Sequence, residues 1–102
     1  MPSVKELAKR QERFVSGHRL CPGCGAGIVA RLVMLAIDKP VVVGCATGCL
    51  EVSSTIFPYS SWNTPFLHSA FENVAATISG AEAAYRSLKK QGKIDTDAVF
   101  VA

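Results

Sequence analysis

The sequence predicts an α/β fold built on a βαβ unit with parallel strands, and three observations predict it. Val41-Val42-Val43-Gly44 is a short β-branched run, apolar on both faces, as a strand buried between helical layers must be. Ala98-Val99-Phe100-Val101-Ala102 is a second run of the same kind. Between them Phe71, Val74, Ile78, Ala81, Tyr85 and Leu88 recur every three or four residues, the stripe of an amphipathic helix. A helix joining two buried strands is the crossover that parallel pairing requires.

The elements follow in order. Ser3-Val4-Lys5-Glu6 has the form of a capping box, so a short helix is expected from about Val4 to Phe14, with Gly17 as a stop. Gly25-Ala26-Gly27 leads into the run Ile28 to Ile37, apolar nearly all round and therefore expected to be a buried helix, ended by Asp38-Lys39-Pro40. After the strand at Val41 to Gly44, the segment from Cys45 to about His68 carries Gly48, two prolines and many hydroxyl groups. It is expected to be a long ordered loop facing a ligand, because Ile56, Phe57, Tyr59, Trp62 and Phe66 are too apolar for disorder. Ser69-Ala70-Phe71-Glu72 repeats the capping-box pattern before the amphipathic helix, which should end near Lys90-Gln91-Gly92. Gly80 inside that helix costs on the order of 1 kcal/mol against Ala, which predicts close packing there.

Composition bounds the function. Of 102 residues, 49% are apolar and 19% charged, and the mean hydropathy is +0.26, which excludes a disordered chain. A net charge of +3, with most basic residues near the two ends, is too weak to argue for nucleic-acid binding. The longest apolar run, Ile28 to Ile37, is interrupted by Arg31 and is short of the roughly 20 residues of a membrane span. The charged start Lys5-Glu6-Leu7-Ala8-Lys9-Arg10 does not read as a secretory signal, so the expected location is the cytoplasm. One βαβ unit cannot cover both faces of an open sheet, and the chain finishes on an apolar strand. Residues 1–102 are therefore expected to be part of a longer α/β domain.

Four cysteines stand out. Cys21-Pro22-Gly23-Cys24 places two thiols on one tight turn, with the following backbone N–H groups available to stabilise negative charge. In a cytoplasmic chain this favours zinc or iron-sulfur ligation; a dithiol redox pair and a chance pair remain as alternatives. Gly44-Cys45-Ala46-Thr47-Gly48-Cys49 directly follows the first strand, and ligands of open α/β sheets bind outside the carboxyl ends of strands. Zinc ribbons usually pair two like knuckles, and the unequal spacing of the second pair argues against zinc.

Four motifs then occur together in order: Cys21-Pro22-Gly23-Cys24-Gly25, Gly44-Cys45-Ala46-Thr47-Gly48-Cys49, Pro58-Tyr59-Ser60-Ser61-Trp62-Asn63-Thr64-Pro65 and His68-Ser69-Ala70-Phe71-Glu72-Asn73. From about His18 onward the chain resembles the N-terminal third of the β subunit of pyruvate:ferredoxin oxidoreductase (pyruvate synthase), in the thiamine-diphosphate-dependent 2-oxoacid:ferredoxin oxidoreductase family. The resemblance implies that residues 1–102 are the first βαβ portion of a single thiamine-diphosphate-binding domain. It implies a 4Fe-4S cluster held by Cys21, Cys24 and Cys49, the last lying 25 residues after Cys24, with a fourth ligand downstream. It also implies thiamine diphosphate against Thr47, Gly48 and Cys49, with Ala26 as a further local contact. The Gly-Asp-Gly motif for Mg2+ and diphosphate would begin just after Ala102. The implied partners are the α, γ and δ subunits, ferredoxin, pyruvate and coenzyme A, with no nucleic acid and no membrane. The implied activity is oxidative decarboxylation of pyruvate to acetyl-CoA and CO2, with the fragment alone inactive; no catalytic residue is assigned.

The remaining polar and aromatic residues read more plainly. Cys45 is expected to be a buried thiol, His18 a surface turn residue and His68 a packing or subunit-interface residue. Phe57, Tyr59 and Trp62 are expected to pack the loop or meet a neighbouring subunit. Capping accounts for Glu72, Arg31 calls for an acidic partner on another subunit, and Lys89, Lys90 and Lys93 form a solvated helix end. Two competing classes stay open: a small zinc-binding module using Cys21, Cys24, Cys45 and Cys49, and a thiol-disulfide oxidoreductase using Cys21 and Cys24.

Overall fold

The structure is a computed structural model and describes residues 1–102. Its helices are α1 (Val4–Leu7), α2 (Gly25–Ala36), α3 (Cys49–Ser54) and α4 (Val74–Lys90). Its strands are β1 (Val41–Ala46), β2 (Thr55–Ile56), β3 (Tyr59–Ser60), β4 (Phe66–Ser69) and β5 (Val99–Val101). β4, β1 and β5 form one parallel sheet in that order, with β1 in the centre, while β2 and β3 make a small antiparallel hairpin. The predicted α/β class and the parallel pair of β1 and β5 are both present. Val41 aligns with Val99 and Val43 with Val101.

The period-2 alternation of β1 assigns its two faces. Val41 and Val43 face Ala30 and Met34 of α2, and these four join Phe14 and Trp62 in the buried core. Gly44 faces α4 instead: a Cβ built there would lie 3.1 Å from Val74 Cγ2 and against the Ile78 side chain. Helices thus cover both faces of β1, which explains why the strand is apolar throughout.

Several expectations are corrected. The segment from Cys45 to His68 is not a loop. β1 runs to Ala46, α3 and the β2–β3 hairpin follow, and β4 pairs with β1 in the register Val43 to Phe66 and Cys45 to His68. α1 stops at Leu7, although its capping box forms as predicted, with Ser3 N–H donating to Glu6 Oε2 over 2.6 Å. Beyond it, tertiary contacts outweigh helix propensity. Phe14 is 2% exposed, bridges to Trp62 and packs against its ring at a tilt, and Arg10 and Arg13 donate to the carbonyls that end α2. α2 is not buried all round: Ile28, Val29 and Leu32 are exposed. The second capping box does not form. Ser69 belongs to β4 and Asn73 is the N-cap, while Ser69 Oγ donates to Asn73 Oδ1 over 2.6 Å. Gly80 has open space around it, so the close helix-sheet approach falls at Gly44. Arg31 finds its acid within the chain, at Glu12. Lys89 is not simply solvated; it lies 3.7 Å from Asp97 Oδ1 and over the Tyr85 ring.

Candidate functional site

The chain enters β1, adds β4 on one side and then crosses to place β5 on the other. The direction of strand addition therefore reverses between β1 and β5, and open α/β sheets bind ligands at the carboxyl ends of strands beside such a reversal. A cavity of about 390 Å3 lies there, between α2 and the sheet, and Ala26, Val33, Cys45, Ala46, Leu50 and Val101 are among its walls. Its lining is almost wholly apolar.

The Cys21 to Cys24 turn is built by its own residues. Cys24 N–H donates to Cys21 O over 3.0 Å, Pro22 occupies the second position, and Gly23 has φ +75° at the third, the signature of a type II turn. Cys24 is then the N-cap of α2 and caps nothing with its side chain, and the first turn of α2 holds no acidic residue. The free N–H groups there, with the helix dipole, favour negative charge beside the two thiols. A second cavity, of about 360 Å3, is walled by Cys21, Cys24, Gly27, His18 and Arg31. His18 is not a surface turn residue: it is partly buried, stacks on Phe14 at 5.1 Å, and its Nδ1 is buried without a hydrogen-bond partner.

At the end of β1, Thr47 is tied to β4. Its N–H and its Oγ1 both donate to Ser69 O, over 3.0 and 3.2 Å, and Oγ1 lies 2.6 Å from His68 Nε2. Gly48 follows as the N-cap of α3, and Cys49 is exposed at the first position of that helix. Glu51, only 8% exposed, lies with Oε2 3.5 Å from His68 Nε2 and Oε1 2.7 Å from Thr55 Oγ1. Cys45 is different in kind. Its Sγ donates to Ala46 O over 3.5 Å, and burial, with the nearby Glu51 charge adding to it, pushes its thiol up from the ordinary value. A thiol with a raised pKa gives up its proton to a metal less readily than an ordinary one.

All four cysteines are free. Cys21 and Cys24 share one cavity, Ala26 and Cys45 the other, and α2's first turn forms part of both walls. Thr47, Gly48 and Cys49 continue from β1 outside either lining. No three His, Cys, Asp or Glu side chains gather at the spacing of a single metal ion. Sequence reasoning did not connect Thr47, Glu51 and His68. No local spacing relates His68 to the other two, and only the register between β1 and β4 brings positions 47 and 68 together.

The parallel sheet, with a cysteine turn opening one helix and a cysteine loop following the central strand, defines an α/β chain whose chemistry is concentrated at one end of α2 and β1. No family model matches the chain. It is 52% identical over 102 aligned positions to pyruvate synthase subunit PorB of Thermotoga maritima, covering 93% of this chain and 32% of that protein. It is 55% identical over 85 positions to the PorB subunit of Methanocaldococcus jannaschii, covering 82% of this chain and 28% of that protein. A more distant relative, ketoisovalerate oxidoreductase subunit VorB of Pyrococcus abyssi, is 37% identical over 78 positions, covering 76% of this chain and 25% of that protein. The chain belongs to the pyruvate:ferredoxin oxidoreductase (pyruvate synthase) β-subunit family. It spans about a third of the length of the curated relatives it matches. No helix is long and apolar enough to cross a membrane.

Proposed function

We propose that this chain forms the amino-terminal part of the thiamine-diphosphate-binding domain of a pyruvate:ferredoxin oxidoreductase β subunit. The reaction would be pyruvate, coenzyme A and oxidised ferredoxin giving acetyl-CoA, CO2 and reduced ferredoxin, in the cytoplasm, with α, γ and δ subunits completing the enzyme. The observation that carries the reading is the pairing of a Cys21–Cys24 turn at the uncapped start of α2 with Cys49 just beyond the central strand, in a chain more than half identical to pyruvate synthase subunits.

The residues suit the groups this reading requires. Cys21 and Cys49 are exposed, Cys24 is partly so, and none is in a disulfide, so all three can be cluster ligands, with a fourth supplied from further along the full-length subunit. Cys45 is set apart by a half-buried thiol whose pKa is pushed up by burial and by the Glu51 charge, and by the other cavity it lines. The amides at the start of α2 stabilise the charge of thiolate ligands, since hydrogen bonds and net charge set the potential of such clusters. Ala26, Thr47, Gly48 and Cys49 are the contacts proposed for thiamine diphosphate, and Mg2+ would be bound by residues beyond position 102. When bound, thiamine diphosphate supplies carbanion stabilisation and the 4Fe-4S cluster a one-electron acceptor. The chain's own contribution is positional: the Thr47 bonds to Ser69 hold the end of β1, and Cys49 follows two residues later.

The test is an anaerobic metal and sulfide count on the full-length subunit. About four iron and four sulfide per chain are expected, lost in Cys24→Ser and kept in Cys45→Ala. One zinc without iron, lost in Cys45→Ala, would replace this reading with the zinc module. Reduction of insulin by a metal-free protein would replace it with the thiol-disulfide oxidoreductase.

A further inference from the structure

Thr47 and Glu51, four residues apart, meet His68 of the neighbouring strand where β1 and β4 end. Thr47 Oγ1 carries one hydrogen and has two polar neighbours, Ser69 O at 3.2 Å, which can only accept, and His68 Nε2 at 2.6 Å. A hydrogen on Nε2 satisfies both contacts, with Thr47 accepting from the imidazole and donating to Ser69 O, whereas a bare Nε2 would face the Glu51 carboxylate with no hydrogen between them. Glu51 reinforces that assignment: its carboxylate is almost wholly removed from water, and Oε2 lies 3.5 Å from the same nitrogen. A buried carboxylate beside an imidazole N–H selects the tautomer and fixes the ring. The ring itself is about half exposed, so burial in a core does not account for this network.

We propose that His68 is a positioning residue of the enzyme. Its Nε2–H, held between Thr47 Oγ1 and the Glu51 carboxylate, fixes the Thr47-Gly48-Cys49 segment, and through it the direction in which the Cys49 sulfur is presented. This rests on the functional reading above and goes beyond it, because it assigns a role to two side chains, His68 and Glu51, that hold no cluster or cofactor themselves. The network links the segment at both of its ends. Thr47 receives the imidazole hydrogen, and Glu51 sits in the first turn of the short helix that Cys49 opens. Loss of the imidazole donor frees the segment while leaving every cysteine in place.

The experiment uses the full-length subunit in its complex, with His68→Leu, His68→Gln and His68→Asn. Glutamine places an amide donor at the reach of Nε2, whereas asparagine does not. Nitrogen-15 spectra of histidine-labelled wild type should show His68 protonated at Nε2. The electron paramagnetic resonance signal and midpoint potential of the reduced cluster should shift in His68→Leu and in His68→Asn and return in His68→Gln. Turnover should fall about 10- to 100-fold in the first two, as for other residues that orient ligands from behind. A ring with Nε2 bare, or wild-type signal and potential in both His68→Leu and His68→Asn, overturns the proposal. If His68→Leu fails to fold, the contrast between His68→Gln and His68→Asn decides, and equal behaviour of those two overturns it. A wild-type complex without iron overturns the functional reading instead, and the tautomer then still decides the His68 assignment.

Discussion

Ile78 of α4 occupies the space that a side chain on Gly44 of β1 would fill. A Cβ at Gly44 would stand 2.6 Å from Ile78 Cδ1 and 3.1 Å from Val74 Cγ2, both in a helix that packs along the strand. Gly44→Ala therefore pushes α4 off the sheet and should destabilise the full-length subunit by about 1–3 kcal/mol. Gly80, in the same helix, has no heavy atom within 4 Å of a built Cβ. Gly80→Ala should stabilise by about 0.5–1 kcal/mol through helix propensity alone. Urea midpoints at constant slope separate the two, and a neutral Gly44→Ala would show that the helix is free to move.

The indole of Trp62 donates from Nε1 to Ser54 Oγ over 2.8 Å, and Ser54 is 1% exposed. Ser54→Ala removes the acceptor and leaves a buried N–H without a partner. A loss of about 1–3 kcal/mol is expected, with a change in the near-ultraviolet signal of the single tryptophan. Ser54→Cys, which keeps a weak acceptor, should lose less. Equal stability of Ser54→Ala and wild type would mean that the indole finds another partner.

Arginine side chains close α2. Arg10 Nη1 donates to Leu35 O at 2.8 Å and to Ala36 O at 3.0 Å, and Arg13 Nη1 donates to Ile37 O at 3.0 Å. These carbonyls have no helical partner of their own, and the positive charge favours this end of the helix dipole. Arg10→Ala and Arg13→Ala should each cost about 1–2 kcal/mol, and the pair should show faster amide exchange in the last turn of α2. Unchanged exchange in the double variant would refute the capping role.

The Cys45 thiol has its pKa raised chiefly by burial and secondarily by Glu51. A raised folded-state value means that the folded protein holds this proton more tightly than the unfolded chain does. The corresponding stabilisation is complete below the ordinary thiol pKa and disappears as pH rises through the elevated one. Alkylation of Cys45, followed by mass spectrometry, should therefore begin at higher pH in the folded subunit than in urea. Glu51→Gln should move that onset downward without abolishing it, because burial remains. Identical onsets in folded and unfolded protein would contradict the assignment.

The parts of the fold that were legible in the sequence are those set by neighbours along the chain. The β-branched run of β1, the stripe of α4 and the Ser3 capping box each announce themselves within a few residues, as does the Pro22-Gly23 turn between its cysteines. Hydrophobic periodicity and turn chemistry are short-range, so they survive without knowledge of the rest of the molecule. The resemblance also rested on such local motifs, and the relatives bear out the family to which it pointed.

What lay hidden depends on which distant residues meet. Phe66 to Ser69 is too short and too mixed in polarity to read as a strand, and hydrogen bonding to β1 makes it one. Phe14 leaves a helical run because Trp62 gives it a buried partner. His18 is enclosed by the fold and stacked on Phe14, which its sequence neighbours do not reveal. Likewise, β1–β4 register puts His68 beside Thr47, and the fold of α3 adds Glu51. The sequence by itself determined helices α2 and α4, strands β1 and β5 and the residue types available for chemistry, because these follow from local stereochemistry and polarity. The tertiary structure alone decided which polar groups share a proton and which cysteines share a cavity, because such pairings depend on distances across a packed interior.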